Sequence, residues 1–140
     1  MDTVKAMEIV TQASADAEVR ICRRMEIGSV VQQGDVYAHR VSDDHPRGVP
    51  LGTRQVAVGA NVGARHVAEG DDVELFAGVE LPPGVAVPEW ATMEDMLGPV
   101  VVARGNWRFA HPEHAHHVLP SGTYQITNQL DFRTRRRVAD

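Results

Sequence analysis

Four of the seven histidines fall within one seven-residue stretch, His111-Pro112-Glu113-His114-Ala115-His116-His117. Imidazole is the commonest metal ligand among side chains, and near its ordinary pKa it changes charge close to neutrality. On a strand, His114 and His116 point to one face and His117 to the other, because successive side chains alternate. Two imidazoles on one face can bind a divalent metal such as zinc, with a third ligand arriving from another strand. His66 is the first candidate for that third ligand, with His39 and His45 next. Pro112 removes a backbone donor and restricts the residue before it, so a bend is expected that turns His111 toward His114. The metal set read from the sequence is His66, His111, His114 and His116, with Glu113 as a general base. The same crowding also arises when imidazoles are only solvated or hydrogen-bonded, or when they form a pH-sensitive contact surface.

A second concentration of chemistry is Arg133, Arg135, Arg136 and Arg137. Guanidinium groups grip phosphate, and they equally suit an acidic partner surface or a solvated tail. Asp43 and Asp44 beside His45 lie among turn formers and read as an ordinary polar loop. Cys22 is the single cysteine, so no intramolecular disulfide forms. There is no glycine-rich phosphate loop and no serine in a nucleophile elbow.

The elements that must position these groups are mostly strands. Val19, Ile21, Met25 and Ile27 alternate with charged residues at the period of a half-buried strand. Val30 to Val41 is β-rich with Gly34-Asp35 as an internal turn or bulge, and Ser42 to Gly48 reads as a loop. Further strands are expected over Arg54 to Val58, around Val73 and Leu75, over Val100 to Val102 and over Thr123 to Leu130. One short helix, capped by Thr92 and ended by Gly98, is expected just before the Val100 strand. Val4, Met7, Val10 and Ala13 recur at helical spacing, which predicts a short N-terminal helix. The fold class is therefore mainly β, a small β-barrel or β-sandwich with a short N-terminal helix or arm. Residues 1–27 form the N-terminal segment, 28–132 the β domain and 133–140 a basic tail.

Three stretches together resemble a group of small uncharacterised bacterial and phage proteins: Gln33-Gly34-Asp35-Val36, Val56 to His66, and His111-Pro112-Glu113-His114 through Leu119-Pro120-Ser121-Gly122-Thr123-Tyr124. The resemblance covers residues 30–138 and implies importance for His66, His111 and His114. It implies no activity. His114-Ala115-His116 is also loosely similar to the H-x-H pair of cupins, which are metal-holding β-barrels. The later cupin ligands have no counterpart here, as no histidine lies beyond His117.

A chain of 140 residues with 43% hydrophobic and 24% charged residues has the composition of one globular domain. A net charge of −5 and 5% aromatics argue against a nucleic-acid-coating surface or a base-stacking platform. RNA contact would then rest on the C-terminal arginines alone. No membrane span or signal-peptide pattern is seen, so a cytoplasmic or virion-associated protein is expected. The functional reading is a non-enzymatic binding or assembly module, metal-stabilised in one version, docking onto a larger assembly such as a phage particle or onto its own copies. The rivals are a metal-dependent, cupin-like enzyme or sensor and an RNA-contacting accessory protein.

Overall fold

Side chains that alternate between apolar and polar leave each strand with one face to bury, and here two sheets bury those faces against each other. The computed structural model describes residues 7–13, 18–58, 65–112, 114–131 and 136–137, with backbone alone at 7–13, 57, 58, 65, 131, 136 and 137. The chain moves repeatedly between the sheets. Strands β1 (Met7–Ala13) and β2 (Glu18–Met25) enter the first, and β3 (Val30–Gln33), β4 (Val36–Val41) and β5 (Arg47–Pro50) the second. Strands β6 (Gln55–Val58) and β7 (Arg65–Glu69) return to the first, and β8 (Val73–Gly78) to the second. After helix α1 (Met93–Met96) come β9 (Leu97–Ala103) in the second, β10 (Trp107–Ala110) and β11 (His116–Leu119) in the first, and β12 (Gly122–Asn128) in the second. A small ladder of β13 (Leu130–Asp131) and β14 (Arg136–Arg137) ends the described chain.

The first sheet runs β1-β2-β11-β10-β7-β6 and the second β3-β4-β12-β9-β8-β5, so the molecule is a two-sheet, sandwich-like β fold. Strand pairing is antiparallel except between β2 and β11. Between the sheets, Cys22, Met25, Ala68, Trp107, Phe109 and Leu119 meet Val31, Val36, Ala38, Leu75, Val101, Tyr124 and Ile126. Trp107 and Tyr124 pack edge to face, with ring centroids 5.2 Å apart. That geometry suits the quadrupoles of the two rings. Burial raises the pKa of the Cys22 thiol, which leaves it as a small apolar core residue.

Gln33 and Val36 pair across the two-residue turn Gly34-Asp35, and Gly34 supplies the positive φ, 57°, that such a turn needs. Gly78 has a different reason: a Cβ there would lie 2.0 Å from the Gly98 carbonyl oxygen, so only glycine admits the approach of β8 to β9.

The N-terminal segment corrects one expectation. Met7–Ala13 is a strand and not a helix, paired antiparallel with β2 from Met7↔Met25 to Ala13↔Glu18. A helix this short is marginal alone, whereas Ile9, Val10 and Thr11 are β-branched and a strand partner is at hand. Asp2 and Thr3, expected to cap that helix, lie outside the described residues. Residues 18–25, grouped by the sequence with an N-terminal segment, lie inside the first sheet and contribute Cys22 and Met25 to the core. The loop from Ser42 is shorter than expected, since β5 begins at Arg47, and α1 ends at Met96 before Gly98, which lies in β9.

The outer face of the second sheet is covered over its centre. Thr123, Gln125, Thr127 and Val100 are all buried there. Thr123 Oγ1 donates to Asp43, and Gln125 Nε2 donates to the Gly98 carbonyl at 2.8 Å. Among the described residues, no helix is long and apolar enough to cross a membrane.

Candidate functional site

Register brings the distant histidines together. Strands β7 and β10 pair Phe109 with Ala68 and Ala110 with Val67, so one further step sets His111 opposite His66. Both rings then share the inward face with Ala68 and Phe109. The His66 and His111 centroids are 4.3 Å apart, His111 and His114 also 4.3 Å, and His66 and His114 6.2 Å. His66 and His111 are fully buried, and His114 is half-buried.

The β3–β4 turn closes this cluster from the opposite sheet. Gln33 Nε2 donates to the carbonyls of Phe109 at 2.7 Å and Ala115 at 2.8 Å. Its Oε1 is therefore an acceptor, and it lies 2.9 Å from His66 Nδ1, which must carry a proton. His66 Nε2 lies 3.1 Å from Asp35 Oδ1, in a carboxyl that is also buried. Burial, then the His111 imidazole, lowers the His66 pKa to about 4, while the Asp35 carboxylate opposes the shift.

The structure brings His66, His111 and His114 together and leaves His116 aside. His116 is the first residue of β11, and His114 lies in the bend before it, so strand alternation does not carry from one to the other. His116 Nδ1 accepts from Arg108 at 3.4 Å, and Nε2 donates to the His111 carbonyl at 3.0 Å. His117 turns inward opposite Phe109. Burial, then the Arg20 guanidinium, lowers its pKa to about 4. Glu113 lies outside the described residues. Among the described residues, no group of three or more His, Cys, Asp or Glu side chains is arranged to hold a metal ion.

His39 and His45, the alternative third ligands, lie on the far face of the second sheet. His39 Nε2 is 2.8 Å from the Thr127 hydroxyl, and burial lowers its pKa to about 4. His45 Nε2 donates to Gln125 Oε1 at 2.9 Å and to the Glu80 carbonyl at 3.1 Å. Of the C-terminal arginines, Arg133 and Arg135 lie outside the described residues, and the backbone of Arg136 and Arg137 pairs with Leu130 and Asp131.

Beside His39 the covering segments stop short of β3 and β4, and a groove of about 870 Å³ remains. Ile27, Val30, Tyr37 and Val41 line it from the strand side, and Pro82 and Val85 from the loop side. Ile27 at its margin is 55% exposed, a large apolar side chain left open to water. Sequence reasoning missed this groove, since its lining comes from five separate segments; the apolar Ile27 after a strand was the one local sign.

No protein-family model, curated protein or solved structure matches this chain. Gln33 and Asp35 close on His66, and the His111 and His114 rings lie beside it.

Proposed function

We propose that this chain is a non-catalytic binding module that takes a small, largely apolar ligand in the groove on the outer face of its second sheet. The observation that carries the reading is the groove itself, about 870 Å³ and lined by Val30, Tyr37, Val41, Pro82 and Val85. Ligand pockets have this size and this mixture of an apolar lining with a few fixed polar groups. His39, tied to Thr127 and kept neutral by burial, is one such group. The histidine cluster then serves the fold: its ring nitrogens and the Gln33 amide tie the β3–β4 turn to the ends of β7 and β10.

Titration with the neutral, solvent-sensitive dye Nile red tests this. The expected result is saturable binding of one dye per chain. Ala86 is exposed and lines the groove, so Ala86→Trp should fill it and weaken binding by about tenfold or more without lowering Tm. Unsaturable binding, or equal binding by the variant, defeats the proposal.

The approach of Asp35, His66, His111 and His114 favours a second reading, a divalent metal such as zinc held at the cluster. It requires the His66–Asp35 hydrogen bond to open, because that bond occupies the atoms a metal needs. Elemental analysis of the same preparation decides between the two. One equivalent of metal, lost from a His111→Ala/His114→Ala variant, would move the function to the cluster.

A further inference from the structure

We infer that the groove selects an apolar cation, a small molecule with an aromatic or aliphatic body and one ammonium group. The inference rests on the groove being the binding site and names the class of ligand it takes. Its basis is the charge that the lining presents once each charged group's own partners are counted.

Besides its histidines, Arg40, Asp44 and Glu80 are the basic and acidic side chains lining the groove. Arg40 is turned away from it. Its Nη1 donates to the Val41 carbonyl, its Nη2 lies 3.9 Å from Asp43, and its guanidinium sits 5.8 Å over the Tyr124 ring. The space that a side chain at position 122 would fill is occupied by the same guanidinium, so Gly122 holds Arg40 in that direction. His39 is uncharged at neutral pH and hydrogen-bonded to Thr127. Among the described residues, no uncommitted cation lines the groove.

The carboxylates are differently placed. Asp44 accepts from the Ser42 hydroxyl, a neutral group that leaves its charge uncompensated. Glu80 is exposed and has no ion-pair partner among the described residues; its backbone carbonyl, not its carboxylate, holds His45. Tyr37 adds an aromatic ring to the lining, and aromatic faces attract cations. Among the described residues, an apolar anion would meet two carboxylates and no free positive group. An apolar ammonium ion meets the opposite.

Three probes of one shape test this: 1-naphthylmethylamine, 1-naphthylmethanol and 1-naphthylacetate, titrated by naphthalene fluorescence at low salt. The amine is expected to bind most tightly and the acetate most weakly, by about tenfold between them, with the ratio shrinking in half-molar salt. The variant Asp44→Asn/Glu80→Gln should bring the three affinities within about twofold. Glu69→Gln/Asp71→Asn makes the same change in net charge on exposed residues away from the groove, and should keep the wild-type ratio. Equal binding of all three probes by the wild type overturns the inference and leaves the groove as the binding site. A ratio that falls equally in both variants also overturns it, because the preference then comes from the net charge of −5. If no probe binds, the groove reading falls and the inference with it.

Discussion

Gln33 with His66 and Gln125 with His45 are the same device built in two places. In each, a fully buried glutamine donates through Nε2 to backbone carbonyls, those of Phe109 and Ala115 in one case and of Gly98, Pro99 and Ile126 in the other. In each, Oε1 is thereby left to accept from an imidazole N–H. The surroundings differ. The His45 proton is shared between two neutral acceptors, Gln125 and the Glu80 carbonyl, and pins a surface segment onto the second sheet. His66 sits between the sheets with its other nitrogen on the Asp35 carboxyl and two further imidazoles beside it, His111 tilted and His114 stacked. One clasp positions backbone; the other also holds a carboxyl against an imidazole where water is scarce. A buried polar network therefore acquires chemistry from the charged neighbour it includes, not from its hydrogen-bond count.

The largest effect expected from breaking this comparison is that of Gln33→Leu. It removes the Gln33 donor from a buried and a half-buried carbonyl and the acceptor from the His66 Nδ1–H, at about 1–3 kcal/mol each, so a loss of about 4 kcal/mol is expected in urea unfolding. A loss below about 1 kcal/mol would show that the turn is held by apolar packing alone. Gln125→Leu should cost less, about 2 kcal/mol, because the His45 N–H keeps the Glu80 carbonyl as an acceptor. It should also weaken dye binding in the groove, since His45 and Glu80 line it, whereas Gln33→Leu should leave dye binding intact while folded.

The smallest effect sharpens the contrast through pH. His39, His66 and His117 are each lowered to about 4, below the ordinary histidine value of 6.5. The unfolded chain then binds more protons than the native one between those values. The stability these groups contribute is present above pH 6.5 and is lost as pH falls toward 4. The steepest possible slope is about 1.4 kcal/mol per pH unit for each group, and a total loss of at least about 1 kcal/mol is expected between pH 6.5 and 5.5. A flat unfolding profile across that range would mean that these imidazoles are not held neutral by burial.

Much of the fold was legible because strand alternation is a local signal. The hairpin around Gly34-Asp35 and the strands beginning near Glu18, Gln55, Val73 and Gly122 follow from it directly. The N-terminal segment misled because Val4, Met7, Val10 and Ala13 satisfy helical spacing while the residues among them favour a strand. At the site, the crowding of imidazoles was visible and their partners were not. Asp35 read as a turn residue and Gln33 as part of the strand before it, and nothing local marks either as a partner of His66. His114 and His116 were paired by a period of two that applies only inside a strand, and β11 begins at His116.

By itself, the sequence determined that this protein is mainly β, where its main turns lie, and that His111 and His114 stand close together beside a proline bend. These follow from backbone sterics and side-chain alternation over a few residues. Only the tertiary structure decided that His66 joins them, that Gln33 and Asp35 complete the cluster, and that His39 and His45 belong to the opposite face. Those facts depend on the β7–β10 register and on how two sheets stack, and in such pairing a shift of one residue turns every side chain to the other face. The groove was decided in the same way, by where the covering segments stop.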